Sequence, residues 1–169
     1  MSLLFYFIFI SILLLICIQD FKEREISWWT IPVLLICSFF LESRSLNELF
    51  TDTIVNLIFI IINLLVITVY YSIKQGHFVN IINKQLGLGD VLFFVVCCFI
   101  FSIPNFILYF LLSMVSSIFL GVLIQKIFKS AYVPLAGIMA SILVLLSLSA
   151  KLFSINFIQG ENWFNSLVV

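Results

Sequence analysis

Charge is what this chain has least of. Asp, Glu, Lys and Arg together are 9% of its 169 residues, against 64% hydrophobic. That excludes a water-soluble fold, which would have almost no polar surface to cover it, and points to an integral membrane protein. The eight basic and eight acidic residues cancel, so there is no basic patch for nucleic acid. One histidine and four cysteines without a CxxC pair offer no zinc site, and the cysteines all lie in apolar stretches. Neither a metal nor a cofactor is expected, and the cysteines read as packing or lipid-facing thiols. Only three prolines interrupt the apolar runs.

Those runs predict an all-α protein of about six transmembrane helices, near residues 2–18, 27–41, 53–73, 88–103, 105–125 and 131–150. They fill residues 1–169 as a single polytopic membrane domain, leaving no room for a sizeable extramembrane one. The opening MSLLFYFIFISILLLIC has neither the basic start nor the small-residue cleavage site of a secretion signal, so it reads as a retained helix. Lys22 and Arg24 follow the first span, Lys74 and Lys84 the third, Lys126 and Lys129 the fifth, while only Arg44 and Lys151 fall on the other side. The positive-inside rule therefore turns both termini outward. Trp28, Trp29 and Trp163 take interfacial positions. His77, in the loop after the third span, reads as a solvated surface residue.

In this topology Asp20 ends span one and Asp90 begins span four, on the same side and at similar depth. Taken singly, each is explained as an interfacial carboxylate, and Asp90 also as a first-turn acid favoured by the helix dipole. The pair asks for more. If spans one and four pack together, the carboxylates meet. The stretch GLGD adds Gly87 and Gly89, which permit close backbone approach and unusual dihedrals just before the acid. Two carboxylates a few ångströms apart cannot both ionise easily, so they share a proton, one acting as acid and one as base. Such a pair activates water: the base deprotonates it for attack on a peptide carbonyl, and the acid protonates the departing amine.

The stretches QDFKEREI, GLGD and YVPLAGIMA, set in a six-span layout, resemble the type IV prepilin peptidases, GxGD-type aspartyl proteases of the bacterial inner membrane. The resemblance covers essentially the whole chain. Asp20, Lys22, Arg24 and Ile26 match the family's D-x-K/R-x-R-x-I stretch, and Gly87, Gly89 and Asp90 match GxGD. Pro134 is supporting, since a first-turn proline also has a structural explanation. The resemblance implies Asp20 and Asp90 as catalytic residues. It implies a type IV prepilin or pseudopilin precursor as substrate, cut after a short basic leader at the cytoplasmic face, with the lipid bilayer as the other partner. Glu23 and Glu25 beside Asp20 would attract such a leader, or else neutralise Lys22 and Arg24 in a solvated loop. Oligomeric state has no signature in the sequence.

The chain departs from larger family members in lacking their paired CxxC domain, which implies peptidase without methyltransferase activity. SWWTIP follows Ile26 where many relatives place a proline, and VPLAG lacks a second proline. An intramembrane protease of the presenilin type shares GxGD, but Gln19 stands where that group has tyrosine and the chain is short of nine spans. A small transporter or pilus-assembly subunit would use Asp20 and Asp90 to bind protons or cations. It should show mid-membrane polar residues or an internal repeat. Asn56 and Asn63 on one face of span three, and Ser113, Ser116 and Ser117 in span five, read instead as helix-packing groups.

Overall fold

The computed structural model describes residues 2–23, 25–78, 86–128 and 134–153. Arg24, Lys84, Lys129 and Trp163 lie outside the described residues. Six helices follow in order: α1 (Ser2–Lys22), α2 (Thr30–Leu41), α3 (Leu46–Gln75), α4 (Leu88–Ile100), α5 (Ile103–Phe128) and α6 (Leu135–Phe153). The protein is an all-α integral membrane protein. Its segments Leu3–Lys22, Leu46–Gln75 and Ile103–Leu123 are long and apolar enough to cross a bilayer, while α2, α4 and α6 are shorter apolar helices.

Several boundaries differ from expectation by a few residues, and three of the differences have local reasons. Helix α1 continues to Lys22, so Asp20 stands inside its last turn rather than beyond it. Helix α3 starts seven residues early, at Leu46 instead of residue 53, because Ser45 and Glu48 form a capping box that the apolar pattern does not register. Helix α6 starts at Leu135, after Pro134 rather than around it.

Helix α1 packs on α2 and α6, α4 on α2, α3 and α6, and α5 on α3 and α6. The expected direct packing of spans one and four is not among the main interfaces; α2 and α6 join them. Leu13, Ile16, Leu34, Phe93, Val96, Met139 and Leu143 are fully buried between these helices. The outer faces of α3 and α5 expose Ile58, Ile62, Val66, Val115, Ile118 and Phe119, as a lipid-facing surface requires.

Most buried polar side chains find a partner, and among the described residues the Ser102 hydroxyl is the exception. Ser113, Ser117 and Asn63 donate to carbonyls one turn back. Asn56, buried in α3, instead donates across to Cys98 O and Phe101 O at 3.2 and 3.0 Å. Cys37, Cys97 and Cys98 are buried and Cys17 partly so, all as free thiols.

Tyr109 joins α5 to α6: its ring stacks on Phe101, with centroids 4.6 Å apart, and its hydroxyl donates to Met139 O at 2.8 Å. Tyr109→Phe keeps the ring and removes the donor. Thermal unfolding in detergent should show a loss of about 1 kcal/mol, and an unchanged transition would mean the bond contributes nothing to the α5 to α6 interface.

Candidate active site

Helix α6 begins without a cap of its own. Pro134 has no side-chain acceptor, and its carbonyl takes the first helical bond, from Ile138 N at 3.2 Å. The amides of Ala136 and Gly137 therefore have no partner from the preceding residue, and both find one in another helix. Ala136 N donates to Asp90 Oδ1 at 2.8 Å, and Gly137 N donates to Asp20 Oδ2 at 2.5 Å. Consecutive amides thus each hold one oxygen of a different carboxylate. The positive end of the α6 dipole favours negative charge at this point.

Each acid is delivered by local structure. Asp20, only 7% exposed, stands on the last turn of α1 against α6. The close approach depends on Gly137: a Cβ there would lie 2.9 Å from Phe21 Cδ2 and 3.1 Å from Asp20 Oδ2. Asp90 lies in the first turn of α4, where its Oδ2 also accepts Gly87 N at 3.2 Å. That is half of a capping box, the half a glycine cap can still form.

The two motif glycines serve the fold differently from expectation. Gly87 has φ −66° and ψ 144°, ordinary extended values, and Gly76 is the one positive-φ glycine among the described residues. Unusual dihedrals are not the reason for GLGD. A Cβ at Gly87 would stand 3.0 Å from Asp90 Oδ2, and one at Gly89 would stand 3.0 Å from Ile26 Cδ1. Gly89 is the flat seat on which Ile26 rests, tying the loop after α1 to the start of α4.

Gln19 fixes that loop from the other side. Its Nε2 donates to Ser27 Oγ at 2.9 Å and its Oε1 accepts Ser27 N at 3.2 Å. Lys22 is exposed at the end of α1 and makes no ion pair among the described residues. Of the expected site residues, the structure gathers Asp20, Asp90, Gly87 and Gly89, with Pro134 buried just ahead of the two amides. Sequence reasoning read Gly137 as a small residue for close helix contact, which it is, and missed its amide bond to Asp20 and the Gln19 to Ser27 clasp. The short glycine-containing turn of α6 opposite Asp20 was the available signal for the first.

Beside Asp20 opens a groove of about 510 Å³, lined by Asp20, Glu25, Ile26, Trp28, Leu88 and Leu92 among others, with Asp90 just behind its wall at Gly87 and Gly89. Its walls mix the apolar side chains of Ile26, Ile31, Leu88 and Leu92 with the carboxylates of Asp20 and Glu25. No group of three or more His, Cys, Asp or Glu that could hold a metal occurs among the described residues.

A model of the type IV leader peptidase family matches residues 7–122, well over half of the chain. The chain belongs to the type IV leader peptidase family. No curated protein and no solved structure matches it. The match spans the positions of both aspartates and ends before α6.

The contact between Gly89 and Ile26 is directly testable. Gly89→Ala should lower stability in detergent by about 1–3 kcal/mol through overpacking, and Ile26→Val, which removes the Cδ1 it strikes, should recover part of that loss. Equal stability of Gly89→Ala and wild type would refute the seat.

Proposed function

We propose that this leader peptidase is a membrane aspartyl endopeptidase. It removes the short basic leader from type IV prepilins or pseudopilins at the cytoplasmic face of the bacterial inner membrane, with both termini outside. The observation that supports this most is the clamp of one oxygen from Asp20 and one from Asp90 on adjacent amides, beside an open groove.

Two carboxylates held this way share one proton, and their apparent titrations belong to the pair. The ionised member takes a proton from water as that water attacks the scissile carbonyl. The protonated member hydrogen-bonds the carbonyl oxygen and afterwards protonates the departing amine, which regenerates the shared proton. The amides of Ala136 and Gly137 keep the oxygens they hold fixed through this exchange. Ile26, Leu88 and Leu92 offer apolar contact to a substrate in the groove, and Glu25 on its wall offers a counter-charge to a basic leader.

Purified protein mixed with a pilin precursor in detergent should release the leader. Asp20→Asn and Asp90→Asn should each lower the rate by at least about 10²-fold; cleavage by either variant at the wild-type rate would sink the dyad. Reporter fusions give an independent check on topology. Loops 19–25 and 76–86 should map to the cytoplasm together, and opposite faces would end this mechanism before any assay.

A further inference from the structure

Helix α4 has 13 residues, a length of about 20 Å against a hydrocarbon core of about 30 Å. One end carries Asp90. At the other, the last carbonyls of a helix normally turn to water, and here each has a protein donor. Cys97 O accepts Phe101 N at 3.2 Å, Cys98 O accepts Asn56 Nδ2 at 3.2 Å, and Phe99 O and Ile100 O both accept Arg44 Nη2 at 3.1 Å. Asn56 also takes Phe101 O, the next carbonyl, at 3.0 Å.

Phe101 and Ser102, the turn into α5, are 1% and 6% exposed. The cation in this cap is itself closed off. Arg44 Nη2 meets Glu42 Oε2 at 2.7 Å and Nη1 meets Asp52 Oδ2 at 2.8 Å, with the Arg44 and Glu42 side chains 7% and 6% exposed. Asn56 stands about 15 Å along α3 from Leu46, at 1.5 Å per residue. The end of α4 is therefore well below the start of α3. Every one of these carbonyls is taken up by a protein donor, as a terminus inside the bilayer demands, and only the Ser102 hydroxyl is left buried without a partner among the described residues.

We propose that α4 ends inside the membrane and that Asn56 and Arg44 are positioning residues for the dyad. By clamping the carboxyl end of a helix too short to be anchored in both interfaces, they set the depth at which Asp90 stands against Asp20. Asn56 fixes the helix to α3, and Arg44 fixes it to the loop between α2 and α3. The catalytic consequence rests on the function proposed above; the depth of α4 does not.

The test uses the full chain in lipid vesicles, in a cysteine-free background. A nitroxide at Pro104, exposed in the first turn of α5, should be relaxed by oxygen and not by a water-soluble nickel chelate. One at exposed Ser45 should show the reverse. Nickel access at Pro104 equal to that at Ser45 overturns the buried end. Nitroxides at Lys22 and Leu88 report the spacing of α1 and α4. Asn56→Leu, which keeps the branching at Cγ and removes the donors, should shift and broaden that distance, and Asn56→Gln should largely restore it. An unchanged distance overturns the clamp.

With a pilin precursor, Asn56→Leu should lower kcat by about 10²-fold, the scale expected of an ångström-sized misplacement, with KM unchanged. A loss in KM alone would overturn the positioning role. If wild type releases no leader, the functional reading fails while the accessibility and distance measurements still decide this one.

Discussion

The amino end of α6 sets the terms for everything around it. A helix start leaves several N–H groups without intrahelical partners, and in hydrocarbon no water is there to take them. Most helices meet that demand with a Ser, Thr, Asp or Asn just ahead of the first turn. This one has Pro134 there, so the demand passes to neighbouring helices, and Asp90 and Asp20 meet it. The carboxylates are held near each other by a shared terminus rather than by mutual attraction, which two acids do not have. Donors and dipole together offset the repulsion that would otherwise separate them.

Several small residues follow from that one constraint. Gly137 is glycine because α6 must lie against Phe21 and Asp20. Gly89 is glycine because Ile26 must press on α4 to close the loop that follows Asp20, and Gln19 holds the same loop through Ser27. The groove opens between that loop and the start of α4. It is thus bounded by elements whose positions are fixed for the sake of the two acids.

The membrane spans were legible because hydrophobic runs are the strongest signal a chain carries, and six helices stand where six runs lie. Asp20 and Asp90 were legible through topology, which placed both at one end of the bundle. What stayed hidden has a common cause. Ala136 and Gly137 act through backbone amides, which every residue has and no letter marks. The path from α1 to α4 runs through α2 and α6, and pair packing is not written in hydropathy. The role given to the GLGD glycines differed because absence of a Cβ serves tight packing as readily as free dihedrals, and only a neighbour's position distinguishes the two. Ser45 and Glu48 extended α3 through capping, which acts beyond the apolar pattern.

The two ends of α4 meet one physical rule in opposite ways. Its carboxyl end is closed: carbonyls, guanidinium and carboxylates are all taken up within the protein, and the turn beyond is buried. At its amino end Asp90 accepts Gly87 N, and Asp20, which lines an open groove, stands across the start of α6 from it. A carboxylate has more acceptor capacity than one amide uses. Sealing the first end with an amide and an ion cluster leaves no capacity for a reacting molecule, whereas sealing the second with acids leaves some over. An end built in the first way is closed to further partners, so the chemistry proposed for this helix belongs to the end that carries Asp90.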